Sequence, residues 1–124
     1  MADKRTLSGA FALPTALRVD VRLCSSGASV TVHGDVDLHT APLLRARLDE
    51  VVRQGEDRVV VFLDDVTFMD STGLGVLVGA HQSQQAAGGS VELVCSEPRL
   101  LRLFRLTGLS EVFTVHDGSG AIEG

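Results

Sequence analysis

The sequence predicts an α/β domain: a mixed sheet of four to five β-strands that opens on a hairpin, with about three to four α-helices packed on it. Three observations point there. Apolar and polar residues alternate in two adjacent runs near the start. The bounded β-branched and aromatic run Val59-Val60-Val61-Phe62-Leu63 is too short for a helix. Helical and strand periods then alternate to the end, and strand–helix–strand units of this kind make parallel crossovers.

In chain order, residues 1–15 have no clear period and contain Gly9 and Pro14, so they are expected to form a mobile or loosely docked extension. The folded domain spans 16–117, and 118–124 is a tail without pattern. Leu17, Val19, Val21 and Leu23 alternate with Arg18, Asp20 and Arg22, which predicts a strand with one buried face. Ser25-Ser26-Gly27 turns the chain, and Ala28, Val30 and Val32 define the second strand of the hairpin. Gly34 to His39 reads as a loop. Thr40 is a suitable N-cap and Pro42 fits the first turn of a helix with the stripe Leu44, Leu48, Val51 and Val52, closed by Gly55. Arg58 to Leu63 is expected to be a central strand covered on both faces.

The second helix starts near Ser71 or Thr72 and runs to about Ala87, with Leu74, Leu77, Val78 and His81 on one stripe. Gly75 and Gly79 lie one turn apart, each costing about 1 kcal/mol against Ala. Close approach of a neighbouring element is the expected return. Gly88-Gly89 end this helix, and Val91, Leu93 and Cys95 alternate as a strand. Ser96 can cap and Pro98 can start a third helix carrying Leu100, Leu101, Phe104 and Leu106 as far as Gly108. Val112 to Val115 is a short last strand.

Composition narrows the function. The net charge of -5 argues against non-specific nucleic-acid binding, which needs a basic face. Trp and Tyr are absent, and the five Phe fall among aliphatic residues and are expected in the core. Cys24 and Cys95 read as small buried hydrophobes of a reducing compartment. No run of about 18 apolar residues suggests a membrane span. Ser8 to Ala16 is too mixed for a secretory core, so a cytoplasmic protein is expected. His33, His39, His81 and His116 lack metal-ligand spacing and read as surface or half-buried residues; no cofactor is expected.

The richest stretch is Phe68-Met69-Asp70-Ser71-Thr72-Gly73-Leu74-Gly75, where a strand exits and a helix begins. Free amides and the dipole at a helix start suit an anion such as phosphate. Ser71 is therefore a candidate chemical switch, although a plain N-cap is the simpler role for it. A nucleophile elbow needs Gly where Met69 stands. Gly73-Leu74-Gly75-Val76-Leu77-Val78-Gly79 is one residue too long for a dinucleotide fingerprint, and no Gly-Lys-Ser/Thr phosphate loop exists. Asp64-Asp65 reads as a solvated strand end. Asp35 and Asp37 are loop carboxylates, expected to cap the following helix or to meet a partner.

Taken together, these blocks resemble the anti-sigma-factor antagonists, single-domain members of the STAS family. Gly34-Asp35-Val36-Asp37 with Thr40-Ala41 looks like that family's Gly-Glu-Leu-Asp…Thr-Ala loop. Phe68 to Gly75 looks like its phosphorylation loop. Gly88-Gly89 before Val91, and Leu103-Phe104-Arg105-Leu106-Thr107-Gly108-Leu109 with Val112-Phe113, match the later blocks. Coverage runs from about Leu17 to Val115. Asp35 replaces the usual Glu and Thr72 the usual second Ser.

The resemblance implies a STAS fold and a regulatory protein that is not an enzyme. It implies that an anti-sigma factor, a serine kinase of the histidine-kinase-like ATPase fold, phosphorylates Ser71. The unphosphorylated antagonist would bind that kinase and free its sigma factor, and a PP2C-type phosphatase would reset the cycle. Asp37, Asp70, Ser71, Thr72 and Gly73 are the implied partner-binding residues. The alternatives are a non-switching STAS scaffold or ligand-binding module, and a small hydrolase using Ser71, for which the sequence shows no base.

Overall fold

The computed structural model describes residues 17–117, so the expectations for 1–15 and 118–124 lie outside the described residues. Leu17–Cys24 (β1) and Gly27–Val36 (β2) form the antiparallel hairpin, turned by Ser25 and Ser26. Ala41–Arg53 (α1), Arg58–Met69 (β3), Ser71–Ala86 (α2), Ser90–Val94 (β4), Pro98–Leu106 (α3), a 3-10 turn at Leu109–Glu111 and Thr114–His116 (β5) follow. The sheet order is β1-β2-β3-β4-β5, with every pair after the hairpin parallel. Five strands and three α-helices match the expected mixed α/β architecture.

One core joins the helices to the sheet. Leu44, Leu48 and Val51 of α1, Leu74 and Leu77 of α2, and Leu100 and Phe104 of α3 pack with Val30, Val32, Val59, Val61 and Leu93. Burying a Leu or Val is worth about 1.5–3 kcal/mol, so these stripes fix where each helix starts. The opposite sheet face is largely polar rather than covered like the core. Val60 and Val94 are buried there, but Phe62 is half-buried and Asp64 exposed. On that face Glu92 accepts from Arg58 Nε and Nη2 at 2.9 and 3.1 Å and lies 3.0 Å from His116 Nε2. Arg58, then His116, holds the Glu92 carboxyl below its usual range against the effect of burial.

Several local expectations change. β2 runs through Gly34 to Val36, which looked like loop, and β3 extends six residues beyond Leu63 to Met69. Two register shifts leave β3 with extra residues opposite β2. Each bulge resets the alternation, so Leu63, Val66 and Met69 are buried at intervals of three. Asp64 and Asp65 therefore lie within a strand: Asp64 accepts from Ser96, and Asp65 pairs with His33 Nδ1 at 3.1 Å. Ser96 is thus not the α3 cap; Glu97 holds that position.

Leu23 (53% exposed) and Leu106 (73%) project beyond the core despite sitting in the right periods. Cys24 is exposed at the hairpin end, its Sγ 3.2 Å from the Gly27 carbonyl, whereas Cys95 is buried; both are free. Val112 is outside the last strand, which begins at Thr114. Phe104 and Phe113 are in the core, but Phe68 is 52% exposed. Phe68, the last residue but one of β3, is thus exposed near the Asp70-Ser71 turn.

Gly75 and Gly79 admit no close neighbour: a Cβ at either would meet nothing within 4 Å. Gly75→Ala is therefore expected to stabilise the fold by about 0.5–1 kcal/mol through helix propensity alone. A thermal melt should rise by a few degrees, and a fall would show a contact that the structure lacks. The tight approaches occur instead at Gly27, against the Arg58 carbonyl, and at Gly73 and Gly89. A Cβ at Gly89 would lie 2.6 Å from both the Asp57 carbonyl and Gln84 Nε2.

Candidate functional site

β2 and β3 are parallel neighbours that end together, with Val36 opposite Met69. The Asp37 loop leaves one strand and the Asp70-Ser71 turn leaves the other. Both loops therefore emerge at the carboxyl ends of parallel strands, where open α/β sheets place their sites. Asp70 N–H donates to the Val36 carbonyl at 3.2 Å and ties the two exits together. Gly73 fits directly over this junction. A Cβ there would lie 2.6 Å from Val36 Cγ1 and 2.9 Å from Met69 Cγ.

Asp70 is the N-cap of α2. Its backbone is extended, and its Oδ1 accepts from Thr72 N–H at 2.9 Å and Gly73 N–H at 3.4 Å. Ser71 is the first helical residue and is exposed. Among the described residues its hydroxyl has no hydrogen-bond partner. The sequence left the capping role open among a carboxylate and two hydroxyls in a row. The structure gives it to the carboxylate and frees the serine. Thr72 is half-buried and Gly73 buried, so of the three residues after the cap Ser71 is the one presented to solvent.

Asp37 works inside its own loop. Its Oδ1 accepts from His39 N–H at 2.9 Å and Thr40 N–H at 3.0 Å. The Thr40 hydroxyl accepts from Asp37 N–H at 2.9 Å and lies 2.8 Å from the Asp35 carbonyl, to which it gives its single proton. Thr40 thus occupies the N-cap position of α1 without a side-chain cap bond. These N–H donors, Thr40 first, hold the Asp37 carboxyl below its usual range despite some desolvation. Its folded pKa is depressed, so its contribution to stability is present above the ordinary carboxylate pKa and is lost as pH falls through the folded value. Asp37→Ala is expected to lower the melting temperature at pH 7, and the gap to wild type should close as the pH falls through and below the ordinary carboxylate range. A gap independent of pH would assign the loss to something other than the carboxylate.

Between the two loops lies an open groove of about 580 Å³, lined by Leu38, Pro42 and Arg45 on one side and Ser71, Thr72 and Gly75 on the other. Leu38 is 69% exposed at its rim. Leu38 and Arg45 were not singled out from sequence. Both sit among residues that read as loop or outer helix face, and only the tertiary fold sets them against Ser71.

The STAS domain family profile matches residues 19–121. The chain belongs to the STAS domain family. This STAS chain is 39% identical over 99 residues to the anti-sigma-B factor antagonist of Bacillus subtilis, covering 80% of this chain and 90% of that one. It is 30% identical over 89 residues to the anti-sigma F factor antagonist of Paenibacillus polymyxa, covering 71% and 76%. Its fold superposes on the crystal structure of an anti-sigma factor antagonist from Mycobacterium paratuberculosis with a TM-score of 0.80 at 27% identity, covering 88% and 92%. No helix among the described residues is long and apolar enough to cross a membrane.

Proposed function

We propose that this STAS chain is an anti-sigma factor antagonist, a regulatory binding protein switched by phosphorylation at Ser71. In its unmodified form it binds a serine-kinase anti-sigma factor of the histidine-kinase-like ATPase fold in the cytoplasm, and the kinase releases its sigma factor. A PP2C-type phosphatase restores the binding form. The observation that carries this reading is the exposed Ser71 hydroxyl, relieved of capping by Asp70 and held at the first position of α2. The named relatives support the partner class.

A phosphoacceptor must be accessible, and its modification must not break the helix it sits on. Asp70 meets the second need, because the cap survives whatever happens at Ser71. The added group carries about -1.5 to -2 charges at neutral pH. Its effect then falls on the partner surface, which includes Thr72, the Asp37 loop and the helix turn fixed by Gly73.

The test adds the chain to a preformed complex of a candidate kinase and its sigma factor. Unmodified protein and Ser71→Ala should both release the sigma factor. Release by neither, with kinases that respond to their own antagonists, would leave a non-switching STAS scaffold or ligand-binding module as the better reading.

A further inference from the structure

The start of α2 cannot fully serve a phosphate on Ser71. The Thr72 and Gly73 amides, which would otherwise face an anion, already donate to Asp70. The Asp70 carboxylate also adds like charge next to the modified residue. A dianion there needs a counter-ion from elsewhere in the fold.

Arg45 is placed to be that counter-ion. It lies on α1 and lines the same groove as Ser71 and Thr72. Among the residues lining the groove it carries the only charge. On the same helix Arg47 is engaged, with Glu50 at 3.1 Å. Arg45 is exposed, and among the described residues no carboxylate lies within ion-pair distance of it. The space between is open. Gly75 stands one turn beyond Ser71 on α2, and a Cβ there would meet nothing within 4 Å. Ala41, one turn before Arg45 on α1, presents only a methyl group.

The geometry points to Arg45 as the intramolecular partner of a phosphate on Ser71, closing over Gly75 at the mouth of the groove. The guanidinium fork can take two phosphate oxygens, and such charge-assisted pairs are the strong kind. Modification then changes two things at once. The groove loses its free cation, and the opening beside Gly75 is bridged. This inference rests on the reading of Ser71 as a phosphoacceptor, but its test does not need the kinase.

Phosphoserine is placed at position 71 of the full chain by genetic encoding, and the phosphorus NMR signal is titrated in wild type, Arg45→Gln, Arg45→Lys and Arg47→Gln. A cation beside the phosphate favours its dianion, so the wild-type midpoint should lie about half a pH unit below that of Arg45→Gln. Arg45→Lys should recover part of the difference and Arg47→Gln none. High salt should shrink the gap, since the pair is at the surface. Equal midpoints in wild type and Arg45→Gln, with both proteins folded by circular dichroism, would overturn the pairing. If Arg45→Gln does not fold, Arg45→Ala takes its place in the same comparison. A midpoint equal to wild type overturns the proposal and a higher one supports it. Failure of every kinase to modify Ser71 would count against the functional reading and leave this result standing.

Discussion

Phosphorylation of Ser71 is expected to lower affinity for the partner kinase at least a hundredfold, while Ser71→Ala binds as the unmodified protein does. The Ser71 side chain contributes no hydrogen bond to the fold among the described residues, and Asp70 caps α2 without it. Removing the hydroxyl should therefore leave the surface intact. Adding a phosphate puts a dianion at the first turn of α2, beside an open groove with an exposed Leu38. A partner covering that groove must desolvate the charge or pair it. Even beside Arg45, taking that dianion out of water costs several kcal/mol, and each 1.4 kcal/mol is tenfold in affinity. No refolding is required for the switch. Ser71→Asp should fall between the two, since one carboxylate has less charge and fewer acceptor oxygens than a phosphate. Calorimetry with the nonhydrolysable ATP complex of the kinase measures all four forms. A Ser71→Ala protein that is folded yet does not bind would contradict this account.

Gly73→Ala is expected to destabilise the fold by about 1–3 kcal/mol, opposite in sign to the same change at Gly75. The new methyl would press on Val36 and Met69, which are 0% and 6% exposed. Both lie at strand ends tied to the α2 cap through Asp70 N–H. Neither can retreat without moving β2 or β3. The gain in helix propensity is smaller than the overpacking cost, because Gly73 lies in the first turn. At about 4–8 °C per kcal/mol for a domain of this size, the melting temperature should drop visibly. Phosphorylation should slow as well, since relieving the clash lifts the helix start and with it Ser71. A Gly73→Ala protein melting at or above wild type would show that the junction is looser than the structure has it.

The two glycine pairs show where sequence reasoning stops. Gly75 and Gly79 drew notice because they share a helix face, yet the face they share is open. Gly73 and Gly89 meet neighbours contributed by other elements, and no local pattern shows that. The hairpin, the three helices and the parallel crossovers were legible from period and turn residues, because each reports on burial within one element. The last six residues of β3 were not, since two bulges convert an alternating pattern into one with a period of three. Asp70, Ser71 and Thr72 are all good capping residues, so composition alone could not assign the cap. Backbone geometry decides it: Asp70 is extended and Ser71 already helical. Asp37 was expected to cap the following helix or to meet a partner, and its Oδ1 accepts from the His39 and Thr40 amides of its own loop.

The most direct measurement is intact mass with site mapping after incubation with a candidate kinase-type anti-sigma factor and ATP. The account predicts a single added phosphate on Ser71, absent from Ser71→Ala and not transferred to Thr72. Stoichiometric phosphate at Thr72 or elsewhere with Ser71 unmodified, or no phosphate from kinases that modify their own antagonists, would contradict it.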